Sequence, residues 1–238
     1  DITIGTSTFS SYGNYDIAMF KTNPSGDVLW AKQFGGSGSN VIADIATDDQ
    51  GNSYVTGNSD GVTQFGTYFF SAASSNVFLC KINNAGTPLW MKNYSHLDGS
   101  YGSSAIALDN TGNSYITGSF ERDITFDSQH SLTTDDPQGN FLAGRKAFVL
   151  KNDPTGNVIW SRGLGGIYNP DDGFLPTAFG TAIASDGGGN ALVGGYFVGN
   201  MIEPTTTLTT VFGGTWVNNY DCFLTKLTNC SVNPGVTQ

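Results

Sequence analysis

A chain of 238 residues is long enough to bury a substantial core and too long for one small sandwich. With 32 glycines, 13% aromatic and only 13% charged residues, it has little material for solvated helix faces and favours short strands joined by tight turns. The net charge of −10 repels phosphate backbones and anionic lipids, which argues against nucleic-acid and membrane-surface partners, and no apolar run approaches the roughly 18 residues of a membrane span.

Two hairpin motifs alternate along the chain. Residues 20–30, Phe-Lys-Thr-Asn-Pro-Ser-Gly-Asp-Val-Leu-Trp, predict a strand, a turn at 23–26 and a returning strand ending in Trp30. Residues 45–57, Ile-Ala-Thr-Asp-Asp-Gln-Gly-Asn-Ser-Tyr-Val-Thr-Gly, predict a second hairpin that turns at 48–51. The first motif returns at 80–90 and at 150–160, again with Gly and Trp at fixed offsets (Gly86 with Trp90, Gly156 with Trp160), and it begins once more at Leu224-Thr-Lys226. The second returns at 106–118 and 183–195, turning at 109–112 and 186–189. The repeat is about 60 residues long, with insertions in the later copies. Each unit supplies four antiparallel strands: a and b from the second motif, c and d from the first.

Four strands per unit, repeated, predict an all-β fold, a β-propeller built of four-stranded antiparallel blades with about four blades represented. The units divide the chain into a partial blade at 1–37, blades at 38–98 and 99–166, a partial blade with long insertions at 167–230, and a tail at 231–238. Asp1-Ile-Thr-Ile4 resembles Val62-Thr-Gln-Phe65 and Asp123-Ile-Thr-Phe126, so the first unit starts after its strand b, while the last lacks a Trp strand. Strand c then occurs at both ends and neat closure fails, which predicts part of a larger ring whose missing blades come from the same polypeptide or another copy. A sequence starting at Asp1 rather than Met is expected to be processed or internal.

These motifs resemble the SBBP-type β-propeller repeat of bacterial, often Bacteroidetes, surface and secreted proteins. The resemblance rests on Asn52-Ser-Tyr-Val-Thr-Gly57, Phe65-Gly66, Asn76-Val-Phe-Leu-Cys-Lys81 and Trp90, with Gln33-Phe-Gly-Gly36 and Gly163-Leu-Gly-Gly166 as the family's Gly-Gly after the Trp strand. The departures are the long segments 121–146 and 163–180 and the missing Gly-Gly after Trp90. The resemblance implies an extracellular or cell-surface setting and a non-catalytic interaction or display role. It says almost nothing about the ligand.

Strand alternation puts the a–b and c–d turns on one face and the longer b–c (58–76, 119–146, 197–219) and d–a (33–41, 93–103, 163–180) segments on the other, where binding loops usually sit. The candidate ligand-binding residues are Tyr94, His96, Asp98 and Tyr101 in one d–a segment and Tyr168, Asp171, Asp172 and Phe174 in the next. Aromatic platforms and carboxylate acceptors suit a protein or glycan ligand. The bland alternative is a solvated loop with rim packing. Asp48, Asp109 and Asp186 precede turn glycines, which suggests that they bond the turn backbone; calcium is the weaker alternative, since EF-hand spacing is absent. No GxSxG, HExxH or P-loop motif occurs, and no enzyme or resident cofactor is expected. Of the three cysteines, Cys80 reads as a buried small hydrophobe, and Cys222 and Cys230 are close enough in sequence to allow a bridge.

Overall fold

The computed structural model describes residues 1–96, 102–134, 144–166, 176–203, 206–209 and 220–228. Their regular structure is entirely strand. In chain order the strands are β1 (Ile2–Ile4), β2 (Ser7–Phe9), β3 (Ile17–Thr22), β4 (Val28–Phe34), β5 (Asn40–Thr47), β6 (Ser53–Phe65), β7 (Tyr68–Ile82), β8 (Pro88–His96), β9 (Ser103–Leu108) and β10 (Ser114–Phe120). There follow β11 (Asp123–Thr125), β12 (Ser131–Thr133), β13 (Lys146–Asn152), β14 (Val158–Leu164), β15 (Thr177–Ser185), β16 (Ala191–Val198), β17 (Asn200–Glu203), β18 (Thr206–Thr209) and β19 (Asp221–Leu227).

All pairings between these strands are antiparallel and join chain neighbours into successive sheets. The first sheet is β3-β4 and the second contains β5-β6-β7-β8. The third has the order β9-β10-β13-β14 and the fourth β15-β16-β19. The a, b, c and d strands of the sequence pattern are therefore consecutive neighbours in the second and third sheets. The turn glycines Gly26, Gly51, Gly86, Gly112, Gly156 and Gly189 all have positive φ. Gly112, at φ +82°, makes a test case. A β-branched side chain there is strained whatever the space, so Gly112→Val should cost more than about 1 kcal/mol, read as a lowered melting temperature.

Successive sheets stack face to face, and three apolar clusters fill the gaps. Ile17 and Met19 of the first sheet meet Val55, Phe78, Cys80 and Ile82 of the second. Val77, Leu79 and Tyr54 of the second meet Ile106, Ile116, Phe148 and Leu150 of the third. Tyr115, Ala147, Val149 and Trp160 of the third meet Ala191, Val193 and Phe223 of the fourth. On the c strands β7 and β13, alternate residues serve the sheet before and the sheet after, as the two-residue period of a strand buried on both faces requires.

The glycine closing each second motif has its cause here. Gly57 pairs with Phe78, Gly118 with Phe148 and Gly195 with Phe223. A Cβ on these glycines would lie 2.6, 2.8 and 2.6 Å from the facing phenylalanine ring. The ring occupies the space of the absent side chain, so the b-strand Gly and c-strand Phe form one packing unit.

The b–c segments, expected as long loops, are different. Segment 58–76 continues β6 and β7 into a hairpin that turns at 66–67, and segments 119–146 and 197–219 carry the hairpins β11-β12 and β17-β18. Hairpin β1-β2 at the start of the chain is the same element, which explains why Asp1–Ile4, Val62–Phe65 and Asp123–Phe126 look alike. Two of these hairpins, that of segment 58–76 and β11-β12, clasp the outer strand of the sheet before. Gln64 exchanges two 3.0 Å backbone hydrogen bonds with Gly35, just beyond β4, while Ile124 and Thr125 of β11 pair with His96 and Ser95 of β8. The second sheet thereby gains two strands and becomes six-stranded.

Candidate ligand-binding margin

The face made by the a–b and c–d turns is occupied by its own chemistry. In each a–b turn one aspartate binds the loop. Asp109 Oδ1 accepts from the Thr111 and Asn113 amides at 2.9 and 3.0 Å, and Oδ2 from Asn113 Nδ2 at 2.8 Å. Asp48 and Asp186 make the same three kinds of bond. Asn23, Asn83 and Asp153 serve the c–d turns in the same way. The recurrent c-strand lysine then reaches the a–b aspartate of its own sheet, with Lys81 3.5 Å from Asp48, Lys151 3.9 Å from Asp109 and Lys226 2.9 Å from Asp186. Burial opposes ionisation of Asp48 and Asp109, but the hydrogen bonds outweigh it and hold both carboxyls below their usual value. A cleft of about 340 Å³ lies between the second and third sheets on this face, lined in part by Asp48, Tyr54, Lys81 and Asp109. Asp48, Lys81 and Asp109 there are already engaged in turns and ion pairs. Among the described residues no three His, Cys, Asp or Glu side chains converge as a metal site would require.

The candidates named from sequence fare unevenly. Tyr94, expected in a loop, lies within β8 and is 1% exposed, because this strand runs on to His96 before the chain leaves the sheet. The Tyr94 hydroxyl donates to Asn152 Oδ1 at 3.0 Å and its ring meets Phe126 edge-on, so it is a core residue, and burial pushes its hydroxyl pKa up. The backbone of His96 pairs with Ile124 in the clasp. Asp98, Tyr101, Tyr168, Asp171, Asp172 and Phe174 lie outside the described residues. Cys80 is buried, and desolvation raises its thiol pKa and keeps it protonated. Cys222 is exposed and free, against the bridge weighed from sequence, and Cys230 lies outside the described residues.

Sequence reasoning passed over a different group. Tyr12 and Tyr15 are 70% and 67% exposed, and Phe69, in the second-sheet hairpin, is 73% exposed. The segment around Tyr15 is fixed against the first d–a crossing, where Asn14 N donates to Gly38 O and Asn40 N to Tyr15 O. Asp16 anchors it from below, accepting from Gly36 N at 3.1 Å and Gln33 Nε2 at 3.1 Å. A cleft of about 320 Å³ opens beside Tyr12, lined also by Gln33, Phe34, Gly35, Gly36, Gln64 and Gly66. The signal for this site was two tyrosines in the otherwise polar run Ser10-Ser-Tyr-Gly-Asn-Tyr15.

No curated protein matches the chain. The stretch that ends the first sheet and builds the second as far as its hairpin is recognisable: residues 29–69 match the model of the SBBP family, described as a beta-propeller repeat.

Proposed function

We propose that the chain is a non-catalytic binding module of a secreted or cell-surface protein, built as consecutive blades of a β-propeller ring and holding its ligand at the margin around Tyr12. The observation that carries this reading is the exposure of Tyr12 and Tyr15 on backbone pinned to the neighbouring d–a crossing, next to a 320 Å³ cleft. Aromatic side chains cost little conformational entropy to immobilise and offer flat apolar faces with a polar tip, as protein and glycan ligands both exploit. Gln33 and Gln64 add amide oxygens beside those faces, while their nitrogens donate to Asp16 and to Gly66 O. By contrast, the aspartates of the tight-turn face are committed to their own loops.

A glycan is the ligand class these groups serve best, by stacking on Tyr12 and bonding to the amide oxygens; a protein epitope is the second reading, favoured by the apolar Phe69 on the second-sheet hairpin that also carries Gln64. A glycan array run in calcium and in chelator separates them. Hits that survive chelation and weaken at least tenfold in Tyr12→Ala support the glycan reading. No hits, with binding to a protein ligand lost on Phe69→Ala, would replace it. Turnover of any glycan that is abolished by a substitution on this margin would refute the non-catalytic role.

A further inference from the structure

Three sets of equivalent positions behave differently in the first sheet than in the others, and all three lie on the side away from the second sheet. Phe20 is 53% exposed, while its counterparts Cys80 and Leu150 are fully buried against the sheet before them. Ile2 of hairpin β1-β2 is 52% exposed, while Thr63 and Ile124 at the same hairpin position are fully buried in the clasp. Gly26 has nothing within 4 Å of its Cβ direction, while Gly86 lies under the ring of Trp30, with a Cβ distance of 3.0 Å, and Gly156 under that of Trp90, at 2.9 Å. Each of these tryptophans belongs to the outer strand of the preceding sheet. A groove of about 260 Å³ lies beside hairpin β1-β2, lined in part by Ile2, Phe9 and Ala18.

We infer that this side of the first sheet is a docking surface for one further blade of the same repeat class, one whose outer strand brings a tryptophan over Gly26 and is clasped by hairpin β1-β2. The internal junctions are the template: an apolar c-strand face meets Phe20, an outer-strand edge meets Ile2, and an indole covers Gly26. A second copy of this chain fits less well. Its open forward face is that of the fourth sheet, where Leu224 is 75% exposed, but the described strands of that sheet carry no tryptophan.

The test compares the 238-residue chain with a longer one in which residues 38–122 are repeated directly before Asp1. This junction reproduces the natural step from Arg122 to Asp123 and places a complete blade, with its Trp90, ahead of the first sheet. The longer chain is expected to unfold in one transition at a higher denaturant midpoint. Phe20→Asp should lower that midpoint clearly while leaving that of the 238-residue chain within error, and Gly26→Ala should cost more in the longer chain than in the shorter. A separate transition for the added blade, or equal effects of Phe20→Asp in both chains, would overturn the inference. Dimerisation of the 238-residue chain that Phe20→Asp abolishes would overturn it in favour of self-association.

Discussion

Replacing Asp109 by alanine should destabilise the protein by about 3–5 kcal/mol, because it removes the carboxylate that faces the buried Lys151 ammonium. The side chains of Asp109 and Lys151 are only 1% and 5% exposed. Besides the turn amides, Asp109 accepts from Thr111 Oγ1 at 2.7 Å and the Tyr115 hydroxyl at 2.9 Å. Lys151 also donates to Gly189 O, across to the next sheet, at 3.3 Å, so the loss reaches the junction between the third and fourth sheets. Urea unfolding at pH 7 measures the effect. An Asp109→Leu, Lys151→Met double variant should recover a good part of it, since an absent pair costs less than half a pair. The same geometry fixes the response to acid. The carboxyl of Asp109 is held below its usual value, so its contribution is fully present above the unfolded pKa of about 4 and is lost as pH falls through the lower folded value. Asp48, Asp153 and Asp186 shift in the same direction. The protein should therefore lose stability steeply below about pH 4, and Asp109→Asn should make that limb shallower. An acid limb unchanged in Asp109→Asn would remove Asp109 from the account.

Phe148→Ala is the second large expected effect, at about 3–5 kcal/mol. Phe148 is fully buried, stands opposite Gly118 and lies 5.7 Å, centroid to centroid, from Phe126 at the foot of hairpin β11-β12. Gly118 offers no side chain to refill the space, so collapse around the cavity is limited and the cost should sit at the high end of the range. A Gly118→Ala, Phe148→Leu pair tests the coupling. Alanine alone at 118 collides with the ring and with Gly102 O, at 2.8 and 2.0 Å, whereas the smaller leucine relieves only the first collision. Partial rescue is expected in denaturant midpoint, and full additivity would mean that ring and glycine do not share the site.

Local chemistry determined much of this molecule in advance. The alternation of apolar residues, the Asx-type turn residues and the glycines at positive φ are short-range signals, and they place the a–b and c–d hairpins where the structure has them. They also explain the turn bonds of Asp48, Asp109 and Asp186, whose amide partners lie within four residues. What tertiary structure alone decided is how sheets meet. Gly26, Gly86 and Gly156 recur at a fixed spacing from Trp30, Trp90 and Trp160, but only the structure shows which glycine meets which ring: Trp30 packs on Gly86 and Trp90 on Gly156, each in the next sheet. The similarity of Asp1–Ile4, Val62–Phe65 and Asp123–Phe126 was visible in the sequence, but not that all three belong to hairpins and that the latter two clasp the sheet before, because that pairing spans about 30 residues of intervening chain and leaves no periodic trace of its own. Tyr94 shows the same divide: its neighbours in sequence are polar and loop-like, and only the continuation of β8 under hairpin β11-β12 turns its ring into the core. Tyr12 and Tyr15 became visible as a site only once Asn14, Asp16 and the first d–a crossing fixed that polar run to the sheet edge and left the rings exposed.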